Sequence, residues 1–126
     1  MKLSIIPNGP VPVYRQLYEE ILSQIVSGEL VAGTALPPIR TVARELGISV
    51  ITVRSAWEAL EGDGLIVTRA GSGCFTAALG DAELKELKAK LLSEPIRMLI
   101  GSAEKLNVTE DELTELIREG YRKNNE

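Results

Sequence analysis

The chain has 126 residues, of which 44% are hydrophobic and only 4% aromatic, enough for one small core built mainly from aliphatic side chains. It contains no histidine and one cysteine, Cys74, which excludes histidine-dependent catalysis, an internal disulfide and a thiolate metal cluster. No apolar run approaches the ~20 residues that span a bilayer, and residues 1–7 lack the long apolar stretch of a signal peptide. We therefore expect a cytoplasmic protein that is not an enzyme, needs no cofactor or metal and does not enter the membrane.

The net charge of −4 argues against nucleic-acid binding until its distribution along the chain is considered. Residues 77–126 carry eleven acidic and eight basic side chains, a net charge of −3. Residues 37–57 instead carry Arg40, Arg44 and Arg54 against Glu45 alone, a net charge of +2. The chain thus has one locally basic segment in an acidic background.

The first third of the chain predicts an extended segment followed by two helices. Three prolines and an Asn-Gly pair make residues 1–12 extended. Apolar side chains at helical spacing from Tyr14 to Ile25 predict an amphipathic helix over about residues 12–28. After a loop with a short extended piece around residues 35–36, a second helix is predicted over about residues 38–46, ended by Gly47.

The β-branched run "ISVITV" at residues 48–53 resembles a strand in composition but not in pattern. With Ser49 as the N-cap of a helix, the apolar residues from Val53 onward share one face of about 100°. A two-residue period would bury neither face of a strand cleanly, so we predict a helix here. That helix leaves Ile51 exposed and Val50 half exposed.

The remainder predicts a hairpin and two further helices. Two β-prone runs follow Gly64 and are joined by residues 70–72, as in a β-hairpin. A helical stripe starts near residue 81, and we expect Pro95 to kink or split that helix, with Ser93 as a new N-cap. The pattern Thr109-Glu110-Asp111-Glu112 is a capping box for a last helix over about residues 110–121.

This order of elements is that of a winged helix-turn-helix. We predict a mainly α fold with a small β-hairpin wing, in which residues 1–77 form the DNA-binding domain and residues 78–126 form a two-helix dimerisation region. The amino-acid sequence of residues 12–77 also resembles that of the GntR family of transcription regulators. The resemblance is carried by "P-V-Y-x-Q-L", "G-x-L-x-x-G-x-x-L-P-P-I-R", "L-G-I-S", "T-V-R-x-A", "L-E-x-x-G-L-I" and "G-x-G-x-F". The short tail of about 50 residues resembles the YtrA subfamily, whose two C-terminal helices serve mainly to dimerise.

The resemblance implies a set of DNA-binding residues. Arg40 matches an arginine that enters the DNA groove beside the recognition helix, which is the helix predicted after Ser49. Ser49, Thr52 and Arg54 match positions of that helix that contact phosphates and bases. Gly71, Ser72 and Gly73 match the wing tip, which approaches the minor groove. Val50 stands where the family usually has a basic residue. Exposed Val50 and Ile51 suit contact with a thymine methyl, and Arg69 lies in the wing. The complete predicted set is Arg40, Ser49, Val50, Ile51, Thr52, Arg54, Arg69, Gly71, Ser72 and Gly73.

The resemblance further implies a homodimeric repressor on double-stranded DNA with a palindromic operator, in a subfamily that often controls transporter operons. The predicted dimer interface is the apolar stripe of the C-terminal helices: Leu84, Leu87, Leu91, Ile96, Leu99, Ile100, Leu113 and Leu116. The tail leaves an effector unspecified: a small molecule would have to lie at the dimer interface, or there is none. The alternative function is a winged-helix module for protein–protein interaction, which explains the acidic charge but not the clustered arginines.

Overall fold

The computed structural model of the chain describes residues 2–125 and divides it into two compact units, one reaching to Leu84 and the other starting at Lys85. The predicted mainly α fold with a β-hairpin wing is confirmed. The predicted domain boundary after residue 77 lies between the hairpin and the fourth helix, before Leu84, the last residue of the first unit. None of the helices within residues 2–125 is long and apolar enough to cross a bilayer. The elements are α1 (Val13–Val26), α2 (Ile39–Leu46), α3 (Val50–Gly62), β1 (Ile66–Arg69), β2 (Gly73–Thr76), α4 (Asp81–Lys105) and α5 (Glu110–Asn124).

The core of the first unit lies where α1 and α2 pack against α3. Each helix contributes one apolar stripe, as its sequence spacing predicts. Complete burial of a Leu, Ile or Val side chain stabilises the fold by roughly 1.5–3 kcal/mol, so this small set supplies most of the stability of the unit. The buried apolar side chains are Leu17, Ile21, Ile25, Leu36, Val42, Ala43, Val53, Ala56, Trp57, Leu60, Leu65 and Ile66.

The wing is an antiparallel hairpin in which Ile66 pairs with Thr76 and Arg69 pairs with Gly73. The predicted extended piece before α2 joins it, since Ala35 forms a β-bridge with Phe75. The buried hydroxyl of Thr76 secures this junction: it donates to the Val31 carbonyl at 2.7 Å and accepts the Thr34 N–H at 2.9 Å.

The extended segment before α1 lies along one polar face of that helix. The Gln16 side chain accepts the Ile6 N–H at 2.7 Å and donates to the carbonyls of Ile6 and Val11 at 2.9 and 2.8 Å. One turn later, Glu20 accepts the Ser4 N–H at 3.0 Å. Side chains at helical spacing thus satisfy the backbone of a segment whose prolines prevent it from folding as a helix.

In the second unit, α4 is a single helix that runs through Pro95, so the predicted split with Ser93 as a new N-cap is wrong. Proline removes only the N–H that would bond to the Leu91 carbonyl, and the turns on both sides keep their own bonds. The Ser93 hydroxyl donates to the Lys90 carbonyl at 2.8 Å within the helix instead of capping a new one. At α5 the predicted capping box is confirmed: Thr109 accepts the Glu112 N–H, and Glu112 accepts the Thr109 N–H, each at 3.2 Å.

Candidate nucleic-acid interface

The turn between α2 and α3 is built from local bonds that the sequence encodes. Gly47 adopts a left-handed conformation with φ of 68°, which an L side chain adopts only with strain. The N–H of Ile48 then donates to the Ala43 carbonyl at 3.0 Å and closes the end of α2. Ala43 is buried, and its small side chain allows the close approach of the two helices. This turn sets the direction in which α3 leaves the domain.

The N-terminus of α3 is capped by Ser49, as predicted. Its hydroxyl accepts the Thr52 N–H at 3.1 Å, and the two hydroxyl oxygens lie 2.8 Å apart in a further hydrogen bond. The remaining backbone N–H groups of the first turn point outward along the helix axis, where the helix dipole favours an anion.

The outer face of α3 carries the predicted base-facing residues. Ile51 exposes 72% of its surface, Arg54 is exposed and Val50 is half buried, whereas Val53 is completely buried. The helical pattern therefore correctly predicts which β-branched residues of α3 are buried in the core. An isoleucine so exposed gains nothing from the fold of its own unit.

The arginines of the chain fall into two groups by their partners. Within residues 2–125, four of them lie within 4.0 Å of a glutamate carboxylate: Arg15, Arg97, Arg118 and Arg122. The other four have no ion-pair partner among the described residues, and all lie between the start of α2 and the end of β1: Arg40, Arg44, Arg54 and Arg69. Three of these four are predicted DNA contacts.

The wing holds Arg69 by a contact that the sequence analysis missed. The Arg69 guanidinium lies over the Phe75 ring, 4.8 Å from its centroid, within range of a cation–π interaction. The two residues are close because β1 and β2 pair, with Arg69 opposite Gly73. The predicted tip residues Gly71, Ser72 and Gly73 are all exposed, and Gly71 has φ of 75°.

Carboxylates at the far end of α3 are held by hydroxyl groups, which the sequence analysis also missed. The Thr68 hydroxyl donates to Glu61, and the Tyr18 hydroxyl donates to Asp63. Burial raises the pKa of Tyr18, and the hydrogen bond to Asp63 and the negative charge of Asp63 raise it further. These bonds join α3 to β1 and to α1, at the opposite end from the predicted DNA-facing turn.

The second unit contains an apolar cleft of about 620 Å³ between α4 and α5. Four predicted interface residues line it: Ile96, Leu99, Ile100 and Leu113. Leu116 is exposed but does not line the cleft, and Ile117 takes that place one residue later. Leu84, Leu87 and Leu91 are half buried and lie outside the cleft lining, with Leu84 in the first unit. Leu99 and Ile100 expose 43% and 45% of their surface, so an apolar face is left open.

No grouping of three or more Cys, Asp or Glu side chains suited to a metal ion occurs within residues 2–125. The groups that the candidate site presents are arginines, hydroxyls, backbone N–H groups and exposed aliphatic side chains. A helix-turn-helix with a hairpin wing and this set of groups defines the class of winged-helix DNA-binding regulators.

The chain belongs to the GntR family. Residues 13–76 match the family described as "Bacterial regulatory proteins, gntR family", and the predicted resemblance is confirmed. GntR proteins are transcription regulators, a class of proteins that are not enzymes.

Curated relatives match over different lengths. The HTH-type transcriptional repressor YtrA of Bacillus subtilis is 28% identical over 93% of this chain and 90% of its own length. YhcF of the same organism, an uncharacterised HTH-type transcriptional regulator, is 30% identical over 85% of this chain and 88% of its own. The probable rhizopine catabolism regulatory protein MocR of Rhizobium meliloti is 45% identical over 57% of this chain, which spans only 15% of that relative. The first two matches include the tail and confirm the predicted similarity to the YtrA subfamily.

Solved structures share the fold. YtrA from Sulfolobus acidocaldarius, a GntR-family transcription factor, superposes with a TM-score of 0.57 at 26% identity, over 98% of this chain and all of its own. The AraR DNA-binding domain in complex with operator ORX1 superposes with a TM-score of 0.54 at 30% identity, over 61% of this chain and 99% of its own.

Proposed function

We propose that the chain is a homodimeric, sequence-specific transcription repressor that binds double-stranded DNA at a palindromic operator. One observation carries the proposal: the first two turns of α3 expose Ile51 and Arg54 away from the core, beside a helix N-terminus capped by Ser49. The operator-bound structure of AraR, a relative in fold, supports DNA as the partner.

The exposed groups suit the edges and backbone of duplex DNA. Arg40 and Arg54 each present a planar fork that can bond guanine O6 and N7, or a phosphate, through two parallel hydrogen bonds. The hydroxyls of Ser49 and Thr52 serve either partner. In the major groove Ile51 would pack against a thymine methyl, with Val50 at the edge of the same contact.

The wing would make the second contact, in the minor groove. Its exposed tip, Gly71, Ser72 and Gly73, brings backbone close to the DNA without bulky side chains. Arg69 follows with its guanidinium already fixed over Phe75, so little of its rotational freedom is lost on binding.

A second copy of the chain would cover the cleft of the second unit. The proposed interface comprises the cleft residues Ile96, Leu99, Ile100, Leu113 and Ile117. It also includes the predicted residues outside the cleft, Leu84, Leu87, Leu91 and Leu116. Two recognition helices related by a two-fold axis enter successive major grooves about 34 Å apart, which requires a palindromic site. Transporter operons are the first targets to examine, on the resemblance to the YtrA subfamily alone.

The proposal is tested with duplexes that the purified protein selects from a random-sequence library. We expect binding to weaken steeply with salt, with a slope near −0.9 in log affinity per phosphate contacted. Arg54→Ala should cost about 1–3 kcal/mol on the selected duplex while sedimentation still shows a dimer. Enrichment of no sequence, together with a flat salt dependence, would exclude DNA binding and favour the protein-interaction module instead.

A further inference from the structure

Arg44 is an exposed arginine of α2 that the proposed DNA contacts do not include. It lies one turn after Arg40 on the same helix. Arg44 differs from the arginines of α1, α4 and α5 in its ion pairs. Each of those arginines has a glutamate carboxylate within 4.0 Å, and Arg44 has none among residues 2–125. Arg44 shares this property with the arginines proposed to contact DNA.

The geometry of α2 fixes the side on which Arg44 projects. At about 100° per residue, Arg44 is roughly 40° from Arg40 around the helix axis and about 6 Å further along it. Buried Val42 is about 200° from Arg40, on the opposite side of the helix. Buried Ala43 is about 60° from Arg40, on the flank away from Arg44. Glu45 is about 140° from Arg40, so the acidic side chain of this helix leaves the face that the two arginines share.

This arrangement has a cost in the free protein. Like charges at positions i and i+4 of a helix repel each other and destabilise it by a few tenths of a kcal/mol. No described carboxylate lies within 4.0 Å of either guanidinium to offset that repulsion. A phosphate placed between the two arginines would neutralise them both and form charge-assisted hydrogen bonds.

We infer that Arg44 binds a phosphate of the DNA backbone next to the groove that Arg40 enters. The inference rests on the proposed function and adds a contact that positions α2 without reading sequence.

The experiment compares Arg44→Ala with Arg44→Lys on two probes: a duplex selected by the wild-type protein and a scrambled duplex of equal length and composition. Loss of a phosphate contact weakens both complexes by the same factor, roughly tenfold for a dimer that loses two contacts. The magnitude of the salt slope should fall by about 2. Arg44→Lys should bind like the wild type, because lysine binds phosphate as a point charge.

Arg122→Ala is the matched control. It removes the same charge from the last turn of α5, where Arg122 pairs with Glu115 at 3.5 Å, and we expect less than a twofold change. Circular dichroism at the assay temperature verifies that each variant is folded.

The outcomes separate the two proposals. If Arg44→Ala binds both probes like Arg122→Ala while Arg54→Ala still weakens the selected complex, the Arg44 contact is overturned and the proposed function stands. A loss confined to the selected duplex, without rescue by lysine, would also overturn a phosphate contact. If the wild-type protein selects no duplex from the library and does not bind the scrambled duplex, both proposals fail together.

Discussion

The Arg69 guanidinium lies 4.8 Å from the centroid of the Phe75 ring, across the two strands of the wing. This contact fixes a long, flexible side chain on the hairpin that the proposed function brings to the minor groove. We therefore expect Phe75 to affect DNA binding through Arg69, without touching DNA itself.

Phe75→Leu should weaken binding to a selected duplex by two- to fivefold, because a cation–π contact at an exposed site contributes about 0.5–1 kcal/mol. Arg69→Ala should weaken it further. The double variant should bind no worse than Arg69→Ala, which a double-mutant cycle measures by fluorescence anisotropy. Additive losses would show that Phe75 acts independently of Arg69.

Substitutions of Ser49, the N-cap of α3, distinguish its contribution to folding stability from its contribution to DNA binding. Ser49→Ala removes the acceptor of the Thr52 N–H and should lower the free energy of unfolding by about 1 kcal/mol, measured by urea denaturation. Ser49→Asp keeps a capping oxygen and should keep that stability, yet its charge repels phosphate. We therefore expect Ser49→Asp to be as stable as the wild type and to bind DNA much more weakly. Equal affinities for the aspartate variant and the wild type would remove the N-terminus of α3 from the interface.

The open cleft of the second unit predicts the effect of polar substitutions. Leu99→Gln combined with Ile100→Gln places amides on a face that a second copy would desolvate, and we expect a monomer by sedimentation velocity. Its affinity for a palindromic duplex should fall strongly because each half-site then binds alone. Val31→Gln, an exposed aliphatic residue of the first unit, serves as the control and should remain dimeric. A double variant that stays dimeric would place the interface elsewhere.

The burial of Tyr18 and its hydrogen bond to Asp63 predict a dependence of stability on alkaline pH. The folded-state pKa of Tyr18 is raised above its ordinary value of about 10, so the unfolded chain releases this proton first. The stabilisation is fully present below about pH 10 and is lost as the pH rises towards the folded-state pKa. Chemical denaturation should therefore show a steeper loss of stability above pH 10 in the wild type than in Tyr18→Phe. Identical profiles would mean that neither burial nor Asp63 stabilises the neutral phenol of Tyr18.

Much of the fold follows from local pattern. The N-cap, the buried stripe and the exposed Ile51 of α3 can be predicted because capping and helical periodicity depend on neighbours within one or two turns. The capping box at Thr109 is predictable for the same reason.

The rest depends on relations that no local pattern contains. Tyr18 and Asp63 are 45 residues apart, and only the packing of α1 on α3 brings them together. Arg69 reaches Phe75 through the register of the hairpin. The local sequence allows Pro95 either to kink or to split α4, and only the structure shows that the split and the new cap at Ser93 do not occur, because the hydrogen bonds of the turns on both sides hold the helix together.

The short β-bridge between Ala35 and Phe75 has a consequence for how such proteins can change in evolution. The Leu36 N–H donates to the Cys74 carbonyl at 2.9 Å. The extended segment before α2 is therefore hydrogen-bonded to β2 of the wing. Insertion or deletion of a residue between positions 33 and 37 would displace both elements at once. We therefore expect an insertion or deletion here to disturb both parts, and a substitution of an exposed side chain to change DNA specificity while leaving both in place.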